Sequence, residues 1–332
     1  MGLASIQVVN RIRPIQNADR VELADILGWH VMVKKDTMAA GDKVVYFEID
    51  SLLPDIPQFA FLSNKGFPYR LKTEKYFKGA VTSQGLALLA SDFGLNDCEI
   101  GADVTAILNI SKYEKQIDVR LGGDNAGSFP SYVPKTDEIR LQAIPQVLNE
   151  IVGWDLYVTQ KCDGTSATYL YDRENDDFIV CSRNWQKKHE DNIYAKIAER
   201  YNLREILKNT SYAIQGEICG EGIQKNQLGI DGHKLFIFNI YDYAEHKYLT
   251  FEEVVEFCCN HGDTLDIVPL LYTIEDMPNT WNVDDFVDFS KGIYLGTQNQ
   301  REGIVVRSMT NEFSQVLGGR LSFKVINPDY RD

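Results

Sequence analysis

Apolar and polar residues alternate in short runs through the first third of the chain. Ser5 to Val9, Val21 to Leu27, His30 to Val33 and Lys43 to Ile49 each repeat at a period of two, and turn signals such as Asn17-Ala18-Asp19 and Ala40-Gly41-Asp42 separate them. Such spacing predicts a small barrel of short strands over residues 5–110. From Asp118 to Pro134 the pattern gives way to Gly122-Gly123-Asp124-Asn125-Ala126-Gly127-Ser128, with Pro130 and Pro134 behind it. This predicts a first domain over 1–118, a linker over 119–134 and a second domain over 135–332.

In the second domain, Lys135-Thr136-Asp137-Glu138-Ile139-Arg140 opens a helical pattern in which Ile139, Ala143, Ile144 and Val147 form one stripe. Trp154 to Gln160 has the β-branched and aromatic content of a buried strand, and Thr168 to Asp172 pairs with Phe178 to Ser182 around Asn175-Asp176-Asp177. Asn192 to Leu207 is an amphipathic helix with Ile193, Ile197, Leu203 and Ile206 inward. Strands follow over Tyr212 to Glu217, Leu235 to Tyr241, Ile304 to Val306 and Leu321 to Ile326, and Thr250 to Glu253 is a capping box opening a helix that stops at Gly262.

Charge complicates the picture. The net charge is −14, and the first 118 residues carry 13 Lys+Arg against 15 Asp+Glu. Acidity of this size argues against unaided binding of nucleic acid unless cations are gathered locally. One such place is 65–78, where Lys65, Arg70, Lys72, Lys75 and Lys78 surround Phe67, Tyr69, Tyr76 and Phe77 with one acid, Glu74. That mixture is either a stacking and phosphate-contacting surface for single strands or a solvated loop with its aromatics in the barrel core. No apolar run approaches the ~20 residues of a membrane span, and Ile6 breaks the Met-Gly myristoylation pattern, so a soluble, cytoplasmic protein is expected. The six cysteines show no Cys-x-x-Cys spacing, which favours reduced buried thiols over zinc.

Candidate chemistry lies where an apolar run stops. Strand Trp154 to Gln160 delivers Lys161 and Asp163 to a turn at Gly164, and at period two those side chains share one face. A lysine beside a carboxylate is either a structural ion pair or the nucleophile of lysyl-phosphate chemistry, which needs a neutral amine. An ordinary lysine pKa near ~10.4 leaves about one amine in a thousand neutral at pH 7, a deficit of roughly 4 kcal/mol that neighbouring cations and partial desolvation remove.

Lys161-Cys162-Asp163-Gly164 is followed in order by Ser182-Arg183-Asn184, Gln215-Gly216-Glu217, Phe236-Ile237-Phe238-Asn239, Glu302-Gly303-Ile304-Val305-Val306-Arg307 and Ser322-Phe323-Lys324-Val325-Ile326. This ordered set resembles motifs I, Ia, III, IIIa, IV and V of the covalent nucleotidyltransferases. The resemblance implies an α+β fold, an ATP-grasp-like ligase adenylation domain of antiparallel sheets with flanking helices. In front of it, Pro14 to Leu23 with Val31 to Lys35 and Gly41 to Val45 is similar to the OB-type barrels of tRNA-binding modules. DNA ligases and capping enzymes carry an OB domain after motif V, but only eight residues follow Lys324 here. The whole is therefore most similar to the fifth, Naegleria-type family of ATP-dependent RNA ligases.

Roles come with that resemblance. It implies catalytic Lys161, Asp163, Glu217, Glu302 and Lys324, an ATP site of Thr159, Gln160, Lys161, Arg183, Glu217, Lys324 and Arg140 with Phe238 or Phe236 on the adenine, and Mg²⁺ or Mn²⁺ held by Asp163, Glu217 and Glu302. Lys161 would attack the α-phosphorus of ATP, AMP would pass to an RNA 5′-phosphate, and a 3′-hydroxyl would displace it. The implied partner is RNA with those ends, in a nicked duplex, and the implied state a monomer. Two positions depart from the pattern: Gln160 stands where many relatives carry Glu, and Ser322 where motif V often has a second Lys. Other readings are a DNA ligase, a capping-type guanylyltransferase, a polynucleotide 5′-adenylyltransferase, or an RNA-binding module without turnover.

Overall fold

Alternation in the first third folds into hairpins. In the computed structural model, Arg11–Pro14, Val21–Ile26 and Trp29–Lys34 form one antiparallel sheet, and Ala4–Val8, Lys43–Phe47 and Leu86–Leu89 form another. Leu27 and Gly28 both have positive φ, a two-residue hairpin turn, so Leu27 leaves the strand expected to contain it. Inward side chains Ala4, Ile6, Val45 and Phe47 close on Phe59, Leu62 and Val104 in one core. The structure describes residues 2–16, 18–77, 81–113, 123–189, 191–261 and 265–330, apart from the side chains of Lys65, Lys75 and Thr82. By contacts the chain forms two units, Met1–Gln116 and Ile117–Asp332.

The basic and aromatic tract of the first unit divides. Tyr69 is buried, with its hydroxyl donating to Asp55 at 3.2 Å, while Phe67 and Phe77 are exposed. Arg70 pairs with Asp50 at 2.7 Å and lies 3.6 Å from the Tyr113 ring centre. Arg70, Lys72 and Tyr76 line a groove of about 290 Å³ with Met32 and Phe61. Lys78 lies outside the described residues.

Two sheets build the second unit. In the larger, the order is Asn125–Ser128, Trp185–Lys187, Asp177–Ser182, Thr165–Asp172, Tyr212–Gly220, His233–Asp242 and Lys247–Tyr248. In the smaller it is Ile139–Arg140, Ser322–Ile326, Gly303–Ser308, Leu156–Lys161 and Leu270–Ile274. Pairing within both orders is antiparallel except between Ile139–Arg140 and Ser322–Ile326. Helices Ile193–Arg200, Leu203–Leu207 and Phe251–Asn260 pack on the larger sheet, and Val283–Ser290 on the smaller. Within the stretch expected as a linker, Asn125–Ser128 pairs with Trp185–Lys187 and Val133 is buried, so residues 123–134 are built into this unit.

Two helical expectations change. The helix read from Lys135 is absent: Ile139–Arg140 is a strand and the α-helix is only Val147–Glu150. Pro145 forbids helical backbone at Ile144, although Ile144 and Val147 are buried as the stripe implied. Asn192 to Leu207 is two helices, broken where Asn202 takes φ +50°. Thr250 does close a capping box with Glu253, on a helix whose last residue is Asn260; Gly262 lies outside the described residues. Of the cysteines, Cys98 is half-buried and Cys259 exposed, and the other four are buried. Among the described residues no helix is long and apolar enough to cross a membrane.

Candidate active site

Leu156–Lys161 pairs with a strand along each edge, and its residues are buried, polar Thr159 and Gln160 included, until Lys161 at the end. Lys161 is the last residue, directly opposite Gly303, and its ammonium donates to Glu302 at 2.7 Å. Gly303 has φ +152°, and a Cβ there would meet the Val325 carbonyl at 2.1 Å. Only glycine lets Glu302 stand beside Lys161 while Gly303–Ser308 keeps its pairing with Ser322–Ile326. Gly164 does the same for the turn: a Cβ would lie 2.3 Å from the Ile218 carbonyl and 2.8 Å from Glu217 Cγ. Its absence lets the turn rest on Tyr212–Gly220, which carries Glu217.

Electrostatics follow from this crowding. Burial pushes the Lys161 ammonium down, but Glu302, Glu217 and Asp163 outweigh it and hold the pKa above the ordinary lysine value. Burial, opposed by Lys161 and reinforced by Glu302 and Asp163, raises Glu217 to about 8. Glu302 is raised for the same first reason. Lys324 goes the other way, to about 8, through burial and then the neighbouring cations Lys161 and Arg140.

Of these groups, Lys161, Glu217 and Lys324 border a cavity of about 290 Å³. Thr159, Gln160, Lys161, Arg183, Glu217, Phe238 and Lys324 line it. Glu302 reaches the cavity through Lys161, and Arg140 stands in register with Lys324. Phe236 does not line the cavity and packs toward Cys162, Cys219 and Val268. Nor does Asp163: its Oδ2 accepts from the Tyr330 hydroxyl at 2.5 Å. Asp163 still lies near enough to raise the Lys161 pKa, but beyond the strand end at Lys161 its carboxylate meets Tyr330 and does not line the cavity wall.

Several further side chains build the walls. Residues 134–138 have no strand or helix of their own and are held by side chains. Thr136 and Ser166 hydroxyls are 2.6 Å apart, Asp137 pairs with Arg183, and Glu138 accepts from Arg307 at 2.9 Å. Arg307 is fully buried and lines the cavity, with Nε and Nη1 unpartnered among the described residues; so is Gln160 Oε1. An arginine two residues after Val305, on the same face of an apolar strand, was the available signal. Tyr294 donates to the Lys161 carbonyl at 3.2 Å and accepts from the Glu302 amide at 3.0 Å, tying the end of the Lys161 strand to Glu302.

Among the described residues no three His, Cys, Asp or Glu side chains are grouped to hold a metal ion as they stand. Even so, the donor chemistry fits a hard divalent cation, since two buried carboxylates and Asp163 surround a single ammonium and burial leaves both glutamates raised.

Residues 155–326 match the family model described as RNA ligase, and residues 3–89 match an OB-fold domain. No curated protein matches the chain. Among solved structures, an apo point mutant of Naegleria gruberi RNA ligase is 32% identical, with TM-score 0.79, covering 98% of this chain and 97% of that one. A second mutant of the same enzyme, with ATP and Mn, is 33% identical at TM-score 0.79 and the same coverage. A third, with AMP and Mn, is 32% identical at TM-score 0.78, covering 98% and 96%.

Proposed function

Because the chain belongs to the family of ATP-dependent RNA ligases, we propose that Lys161 is its nucleophile and that it joins 3′-hydroxyl and 5′-phosphate RNA ends at nicks through lysyl-AMP and 5′-adenylated RNA. The observation that carries this is Lys161 in the lining of the cavity, within 2.7 Å of Glu302, with Glu217 and Lys324 in the same lining.

The residues divide the work. Phe238 and Val305 give the cavity apolar surfaces for the adenine, Arg183 contacts the ribose or phosphates, and Lys324 with Arg140 holds the α-phosphate. Lys161 Nζ attacks the α-phosphorus, pyrophosphate departs, and the amine's proton goes to Glu302 or water. Charge builds on phosphorus in each of the three displacements, so fixed cations around the phosphate are the main catalytic resource. Glu217 and Glu302, with Asp163 at the rim, would hold Mg²⁺ or Mn²⁺, which when bound supplies positive charge that stabilises the phosphoryl oxygens and favours the neutral amine. In the OB-fold unit, Arg70, Lys72 and Tyr76 with Phe61 offer cations and rings for RNA.

ATP labelled at the α-phosphorus tests the reading. Wild-type protein should retain label after denaturation and Lys161→Ala should not, and labelled wild type should seal a nicked RNA duplex. Absence of label from folded wild-type protein with either metal would overturn it.

A further inference from the structure

A second depression, of about 450 Å³, lies in the ligase unit and shares no residue with the nucleotide cavity. Gln227, Gln298, Asn299, Gln300 and Asp329 line it. Four of the five are amides and none is a cation, so the lining suits hydroxyls and is wrong for phosphate.

What makes the place notable is its connection to the nucleophile. Three loops contribute the lining, and each lays one side chain on the turn 161–164. From the first, Gln224 donates to the Gly164 carbonyl at 3.3 Å. From the second, Tyr294 donates to the Lys161 carbonyl at 3.2 Å. From the third, Tyr330 donates to Asp163 at 2.5 Å. The loops are also joined to one another, Asn299 Nδ2 donating to the Gln227 carbonyl at 2.8 Å and Asn327 Nδ2 to Gln300 at 3.3 Å. Asn327 is fully buried and its amide donates to the Glu302 carbonyl at 2.9 Å, which fixes the chain before Tyr330.

In the joining step, the 3′-oxygen forms its bond to the 5′-phosphorus as the bond from that phosphorus to AMP breaks; AMP leaves with the electron pair and the hydroxyl's proton passes to water. Attack is in line, so the hydroxyl arrives opposite the departing AMP. AMP occupies the nucleotide cavity, and Asp163 is the residue of the turn whose side chain has left that cavity for the tail. We propose that the amide-lined depression seats the ribose of the RNA strand bearing the 3′-hydroxyl, and that Tyr330 is a positioning residue that orients Asp163 toward it. A ribose offers its 2′-hydroxyl as both donor and acceptor, the complement of an amide, whereas deoxyribose does not.

This rests on the ligase reading but is tested apart from it. A nicked duplex already carrying a 5′-adenylate at the nick bypasses ATP, and it is made with ribose or with 2′-deoxyribose at the 3′ end. Single-turnover sealing is compared for wild type, Gln298→Ala and Tyr330→Phe. Gln298 is exposed and makes no hydrogen bond among those described, so its variant isolates the seat from the fold. Wild type should prefer the ribose end, and each variant should slow the ribose-ended nick about five- to tenfold while moving the deoxyribose-ended one less than about twofold. A wild-type enzyme indifferent to the sugar, a ratio unchanged in both variants, or equal loss on both ends would overturn the proposal. Label from ATP, measured separately, reports on the earlier reading.

Discussion

The ammonium of Lys161 and the carboxylate of Glu302 lie 2.7 Å apart, and this contact keeps the amine protonated. The cage around Lys161 thus opposes the neutral state that the proposed attack needs, and on that proposal relief has to arrive with the cations of the substrate complex. Lys161 modification by an amine-directed reagent, followed by mass spectrometry across pH, should have its midpoint above the ordinary lysine value in the protein alone. Adding Mn²⁺ should move that midpoint down, because a neighbouring cation disfavours the ammonium. An unmoved midpoint would contradict this account of activation.

Lys324 gives the opposite limb. Burial and the cations Lys161 and Arg140 put it at about 8, so above that pH it is neutral and no longer attracts phosphate. KM for ATP in lysine adenylylation should climb above pH 8 more than kcat falls, since bound phosphates restore the charge. Lys324→Arg should flatten the climb, an arginine remaining charged throughout. A KM that stays level to pH 9.5 in the wild type would count against the role given to Lys324.

Glu138 and Arg307 form a buried pair at 2.9 Å, 169 residues apart in sequence. Glu138→Ala leaves an uncompensated buried guanidinium and should cost about 3 kcal/mol or more, read as a lower urea midpoint at unchanged slope. Burial raises the Glu138 pKa, but Arg307 and Arg320 outweigh it and the net is downward. Its stabilisation is therefore complete above the ordinary value near ~4.3 and is lost as pH falls through the folded value. Acid titrations of wild type and variant should converge there; a separation that stays constant through acid would show that the ionisation of Glu138 contributes nothing.

Gln160 Oε1 is buried in the cavity wall without a partner among the described residues. If it accepts from the 6-amino group of adenine, Gln160→Met should raise KM for ATP about fivefold, the worth of one neutral hydrogen bond near 1 kcal/mol. The triphosphate of unsubstituted purine riboside should bind both proteins alike. Equal losses on both nucleotides would place the effect in packing.

Lys161, Glu217, Glu302 and Lys324 were singled out by the order of six short motifs and the resemblance it carries, and three of them stand on strands with Glu302 one residue before a fourth. The hairpin pairing Thr165–Asp172 with Asp177–Ser182 and the Thr250 capping box were legible from their local pattern. What was hidden depends on partners far along the chain. Residues 134–138 have no period because side chains, not a ladder, hold them, and Tyr330 reaches Asp163 across 167 positions. Pro145 was one local sign against a long helix, since it disfavours helical backbone at Ile144, while the strand Ile139–Arg140 depends on pairing with Ser322–Ile326.

The order of the smaller sheet also bears on biosynthesis. Ser322–Ile326 lies in its interior, between Ile139–Arg140 and Gly303–Ser308, yet it is translated after every other strand of that sheet. A nascent chain still missing this segment lacks Lys324 and leaves the edges of two strands unpaired. On the proposed roles the nucleotide site is thus completed in one late event, and a chain that stops short of it exposes strand edges open to further pairing.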